Sequence, residues 1–191
     1  MTLFDLLFLL IFLATLIALI VAAYLSLRGH FAKAGRLVLG VAMFWVVYLG
    51  VVAAVSLSTP RRMVAMGEDR CFDDWCISVE RVSGTRPIAV TLRVSSRAKR
   101  VRQSAPDNIV YLEDSEGKKY ASLPAGDQPS FGTMIGPGES FDTIRTFDVP
   151  VGAQGLGLVV QHGAIPGNVI IGEDGALFHK PAIVKLPVPS P

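Results

Sequence analysis

The chain has 191 residues and a mean hydropathy of +0.47, with 51% hydrophobic but only 18% charged residues. Those averages conceal two unlike parts: residues 1–60 hold three basic side chains (Arg28, Lys33, Arg36) against one acid (Asp5), and residues 61–191 hold fifteen of each. The net charge of +2 therefore belongs to the first sixty residues, which excludes a basic nucleic-acid-binding domain as its source and an ordinary soluble domain with apolar residues spread along its length.

Residues 6–25 contain no charge, and at the helical rise of 1.5 Å per residue these twenty positions cover about 30 Å, the hydrocarbon thickness of a bilayer. Residues 37–57 are equally free of charge, with Tyr48 and Ser56 as polar interruptions. The pattern predicts a transmembrane hairpin over residues 1–60, with spans at about 4–27 and 37–57. A cleaved signal peptide fits poorly, because residues 1–5 carry no Lys or Arg and the apolar run is longer than the roughly 7–15 residues of a signal core. Ala14, Ala18, Ala22 and Ser26 recur every four positions on the first helix, and Ala42, Gly50 and Ala54 form a comparable line on the second. Pairing Ala22 with Ala42 and Ala14 with Gly50 keeps one antiparallel register, the close backbone approach that packing in lipid favours. The same stripe also suits a second copy or another membrane protein, and small residues are common in membrane helices in any case.

The loop at 28–36 holds three basic residues, one His and no acid, which places it in the cytoplasm. Arg61, Arg62 and Arg70 follow the second span closely and pull the other way. The uncharged N-terminal tail and the lone pair Cys71 and Cys76, expected as a disulfide of an oxidising compartment, place both termini outside. The expected location is a bacterial cytoplasmic membrane, with the C-terminal domain on the extracytoplasmic side.

Residues 61–70 read as a linker and 71–191 as the displayed domain. Residues 61–191 contain fourteen Gly and eleven Pro, and their apolar residues alternate at period two, not at helical spacing. Trp75, Ile77 and Val79 form one half-buried strand, and Ile88, Val90, Leu92 and Val94 another that faces the same core. Further strands are expected at 108–113 and 118–122, joined by a tight turn at Asp114-Ser115-Glu116-Gly117, and at 140–149, 156–161, 169–171, 176–178 and 182–186. About eight short antiparallel strands at this spacing predict an all-β sandwich.

The stretch Val110-Tyr111-Leu112-Glu113-Asp114-Ser115-Glu116-Gly117-Lys118-Lys119-Tyr120, the Gly136-Pro137-Gly138-Glu139 turn and the strand ending Phe147-Asp148-Val149-Pro150 resemble a bacterial family of immunoglobulin-like extracytoplasmic domains of unknown function. The resemblance spans roughly residues 70–187. It implies an immunoglobulin-like sandwich that is secreted, lipid-anchored or tethered by membrane helices, and it brings no catalytic residues. The basic stretch at 97–102 departs from the family pattern, in which an Asn-Thr-Gly type of turn is common.

Among candidate sites, a bond between Cys71 and Cys76 would pin the entry to the first strand. Cys-x4-Cys lacks a second ligand pair, so a zinc site is not expected, and the acids Glu68, Asp69, Asp73 and Asp74 follow no calcium-loop spacing. Arg93, Arg97, Lys99, Arg100 and Arg102 form the most asymmetric charge feature, with no acid between Arg81 and Asp107. They suit an anionic partner such as lipid headgroups, an anionic envelope component or an acidic protein face; the alternative is a solvated tip balanced by Glu113, Asp114 and Glu116. His162 and His179 have no nucleophile spacing, and Gly152, Gly155 and Gly157 read as turn glycines. The expected function is therefore binding through loops, charged faces or a sheet edge, without catalysis, cofactor, metal or nucleic acid, and with a homo-oligomer as an open arrangement. The alternatives are an assembly role for the hairpin within a larger membrane complex and a metal-dependent or enzymatic site at the acidic Cys71–Cys76 loop.

Overall fold

A computed structural model describes residues 3–72, 74–162, 169–171 and 176–187. The chain forms two compact units, one of residues 1–60 with 164–180 and the other of residues 61–163 with 181–191.

The first unit contains helices α1 (Leu3–Leu27) and α2 (Phe31–Ser58), of 25 and 28 residues, both long and apolar enough to cross a membrane. Neither has a polar face. Ile20, Leu39, Val46 and Val47 are all more than 60% exposed, so these helices are not packed as core elements within this chain. The seam between them is built from large side chains. Trp45 donates its indole N–H to the Thr15 hydroxyl at 3.1 Å and meets the Phe8 ring edge-on, while Ile11 packs against the cluster that contains Tyr48 and Val52. Ala18, Ala22 and Ser26 do lie toward the seam, but Ala42, Gly50 and Ala54 are exposed, and Ala14 is also largely open. The expected small-on-small pairing is thus displaced: Thr15, next to Ala14 in sequence, accepts from Trp45, a register roughly one turn away from an Ala14–Gly50 match. The physical reason is that the Trp45 and Tyr48 rings, together with an indole hydrogen bond that would otherwise go unsatisfied, bring more contact than a stripe of methyl groups.

The second unit is a two-sheet sandwich. Its strands are β1 (Met63–Val64), β2 (Arg70–Phe72), β3 (Trp75–Ser83), β4 (Ile88–Ser96), β5 (Ile109–Glu113), β6 (Lys119–Ala121), β7 (Ser140–Phe147), β8 (Gly157–Gln161) and β9 (Ile183–Lys185). One sheet has the order β1-β9-β8-β5-β6 and the other β2-β3-β4-β7; only β1 and β9 pair in parallel. Val79, Leu92, Val110, Leu112, Phe147 and Leu158 share one core between the sheets. Phe147, fully buried, contributes about 1.5–3 kcal/mol by its removal from water.

Three expectations change. Residues 61–70 are not a free linker, because Met63 and Val64 pair with Ile183 and Val184, and Arg70 pairs with Ile77. Residues 169–171 and 176–178 are not strands; Ile171 and Ala176 cluster with Tyr48 and Val52 of α2 instead of joining a sheet, while Leu177 and Phe178 stay exposed. Gly157 is a strand residue paired with Glu113 and Lys185, not a turn glycine. A Cβ there would lie 2.4 Å from the Ile183 side chain, so β8 and β9 approach closely only because that side chain is missing.

Candidate functional site: the cystine hairpin and the β4–β5 loop

β2 and β3 form a tight hairpin in which Cys71 lies directly opposite Cys76, and the two are joined by a disulfide. Register explains the bond: directly paired antiparallel residues are close enough for it, here with Cα atoms 3.9 Å apart. Phe72 and Trp75 pair one step further in, and the Trp75 ring is buried edge-on against Phe131. Arg70 stacks over Phe72 at 4.9 Å and donates to the Ala182 carbonyl, so the cystine hairpin is tied to the residue that precedes β9 of the other sheet.

The β4–β5 loop begins at Arg97, next to this hairpin. The Arg97 backbone N–H donates to the Asp74 carbonyl, and its guanidinium pairs with Asp69 at 2.7 Å. Arg93, on the outer face of β4, pairs with Asp142 on β7 at 3.0 Å; that hydrogen bond, then the Asp142 charge, raises the guanidinium above its ordinary pKa. Arg102 donates to the Met134 carbonyl. Lys99 and Arg100 are exposed and, among the described residues, have no ionic partner; Val101 beside them is 64% exposed. Ala98, 6% exposed, is turned inward with its N–H on the Ser96 hydroxyl and holds the loop against the sandwich.

The five basic residues therefore do not act as one patch. Arg93 and Arg97 are neutralised by Asp142 and Asp69, acids that the sequence places far from them, leaving a tip of Lys99, Arg100 and Val101. Two of the three acids expected to balance the loop are used elsewhere. Glu113 accepts a two-pronged contact from Arg61, and Asp114 organises the β5–β6 turn. There its Oδ1 accepts from the Glu116 and Lys118 N–H groups at 2.9 Å, and its Oδ2 accepts from the Tyr120 hydroxyl at 2.7 Å. The Tyr120 bond, with the two backbone N–H groups and Lys118 and against the effect of burial, holds the Asp114 carboxyl below its usual range; the same bond raises the Tyr120 hydroxyl. This turn lines a polar hollow of about 350 Å³ with Pro150, Gly152 and Gln154.

Among the described residues the acids of this loop do not gather into a cation site. Glu68 reaches Arg62, Asp69 reaches Arg97, and Asp73 lies outside the described residues. Among the described residues no three His, Cys, Asp or Glu side chains converge. The His162 ring does lie beside the cystine hairpin, 5.3 Å from the Phe72 ring, in an aromatic contact. His179 belongs to the other unit.

Sequence reading missed Arg145. It alternates inward on β7 with Phe141 and Phe147, is 5% exposed, and lies over Phe131 at 4.7 Å. Its guanidinium donates to the Thr143 hydroxyl and to the Ile144 and Pro129 carbonyls, and burial pushes its pKa down. These bonds fasten the 123–131 segment along β7. The Leu123 N–H donates to the Thr146 carbonyl, and the Ile144 N–H to the Gln128 side chain. The long outer edge of β7, one of the expected recognition routes, is thereby covered.

No family model and no curated protein matches the chain. It is similar to the secreted protein MPT63 of Mycobacterium tuberculosis, with 15% identity, covering 68% of this chain and 100% of that one at a TM-score of 0.45. It is also similar to an uncharacterised β-sandwich protein of Clostridium difficile 630, with 14% identity, 68% and 96% coverage and a TM-score of 0.43. The yjhA protein of Bacillus subtilis is similar at 13% identity, 64% and 98% coverage and a TM-score of 0.40. At these scores the likenesses carry no statement about this chain's activity.

Proposed function

We propose that the protein is a membrane-anchored binding module: α1 and α2 cross a bacterial cytoplasmic membrane as a hairpin, and the sandwich, immunoglobulin-like in type, is displayed on the extracytoplasmic side. The observation that carries the anchoring is the all-round exposure of apolar side chains on both helices, of which 6% and 11% of the most apolar windows are buried. The cystine supports an oxidising compartment, and the basic loop at 28–36 supports a cytoplasmic turn. Binding is assigned to the Lys99-Arg100-Val101 tip, where two cations without an ionic partner among the described residues precede an exposed apolar side chain on a loop fastened by Ala98 and Arg97. This chemistry suits an acidic protein face or an anionic envelope component.

A photo-crosslinking residue at Val101 in intact membranes tests this reading. The expected result is one dominant adduct, lost when Lys99 and Arg100 are both changed to Ser; adducts unchanged by that double substitution would rule the tip out. A second reading, the hairpin as a subunit of a larger membrane complex, is favoured by one feature. An apolar groove of about 350 Å³ between α1 and α2 is lined by Ala14, Ala18, Gly40 and Phe44, with Arg36 at its end.

A further inference from the structure

We propose that the connection between β8 and β9 is a third membrane-contacting element. Its residues 169–171 and 176–178 sit against α2 at hydrocarbon depth and present Leu177 and Phe178 to the acyl chains of the outer leaflet. The inference rests on the reading that α1 and α2 span the bilayer.

Tyr48, Val52 and Ser56 fall at successive four-residue steps, hence on one stripe of α2, and are only 8%, 1% and 2% exposed. Around them Val46, Val47, Val51 and Leu57 remain open. Ile171 and Ala176 join Tyr48 and Val52 in one apolar cluster. A loop lying on top of the bilayer would reach only the last turn of α2. This one reaches Tyr48, nine residues below the end of the apolar window at Leu57, or about 14 Å along the helix axis.

Backbone at that depth must have its polar groups satisfied within the protein. The Val169 carbonyl is satisfied by the Tyr48 hydroxyl at 2.8 Å, which accounts for a phenol in the middle of an otherwise apolar span. Leu177 and Phe178, which follow the clustered Ala176 directly, are 40% and 67% exposed. Between His162 and His179 the sequence carries only two charges, Glu173 and Asp174, and its apolar runs are two to three residues long. Such a segment is too short and too acidic to span, and its described residues 169–171 and 176–178 suit contact with one leaflet only.

The full-length protein, reconstituted in phosphatidylcholine vesicles containing lipids brominated on the acyl chains, provides the test. A fluorophore is attached in turn to Phe178→Cys, Val46→Cys and Ile144→Cys; Cys71 and Cys76 are bonded and do not label. Leu177→Cys serves as a second probe of the loop should Phe178→Cys fold poorly. The expected result is quenching at position 178 comparable to that at 46 and severalfold above that at 144. Quenching at 46 with position 178 no stronger than 144 overturns the leaflet contact and leaves the spanning helices intact. Absence of quenching at 46 overturns the spanning reading, and the leaflet contact with it.

Discussion

Val46 on α2 and Val159 on β8 carry the same side chain in opposite surroundings: the first is 68% exposed and the second fully buried. The difference extends to whole elements. α1 and α2 leave most of their apolar side chains open, whereas β8 is buried on both faces, with Leu158 and Val160 in the core and Val159 packed with Tyr111 and Ile183 on the other side. One part of the chain is folded against itself and the other is apolar toward its surroundings. A substitution that removes packing should therefore be costly in the sandwich and silent on the outer surface of the helices, and the following changes sharpen or break that contrast.

The largest effect is expected at the core. Phe147→Ala should lower the stability of the sandwich by about 3–5 kcal/mol, while Val46→Ala leaves the same unfolding transition in place. Denaturant titration of the detergent-solubilised protein, followed by near-ultraviolet circular dichroism, compares the two. Equal effects would mean that the helices are core elements of the same folding unit. Next is the cystine: Cys71→Ser with Cys76→Ser opens a bond across a sequence separation of 5 and should cost about 2 kcal/mol in the same titration. Arg61→Ala removes the two-pronged contact with Glu113 and a bond to the Pro181 carbonyl. Both side chains are largely shielded, at 22% and 13% exposure, so the expected loss is about 1–2 kcal/mol.

The smallest effect concerns pH. The folded Asp114 carboxyl titrates below its unfolded value, so its contribution is complete above a pH of about 4 and is lost as the pH falls through the lower folded value. Amide exchange at Glu116 and Lys118 should accelerate over that acidic range in the wild type. In Asp114→Asn the acid-dependent acceleration should be absent; if it persists, another group holds the turn.

Local periodicity carried much of the architecture. The alternation of Ile88, Val90, Leu92 and Val94 matches the buried face of β4, and Asp114 to Gly117 is the turn between β5 and β6. What escaped was long-range. Nothing near Met63 signals a parallel partner at Ile183, because a two-residue strand has no period to read. The run at 169–171 has strand composition, yet its partner is a helix more than a hundred residues earlier, and only Tyr48 inside an apolar span hinted at it. The basic stretch was visible as a count of charges, but whether it formed a patch depended on Asp142, which β4–β7 register brings to Arg93, and on Asp69, which the fold beside the cystine hairpin brings to Arg97. Arg145 escaped for a related reason: a charged residue in an alternating strand is ordinarily assigned to the solvent face, and here the Pro129 carbonyl, with the Thr143 hydroxyl and Ile144 carbonyl, makes the inward position tolerable.

The central claim is that two spans hold the sandwich outside the cytoplasm. It is tested most directly by labelling single cysteines in intact cells with a membrane-impermeant maleimide, using Arg100→Cys on the β4–β5 loop and His30→Cys between α1 and α2. The account predicts labelling at position 100 without permeabilisation and at position 30 only after it. Labelling at 30 with protection at 100 would invert the topology, and labelling at both positions in intact cells would contradict the spanning hairpin itself.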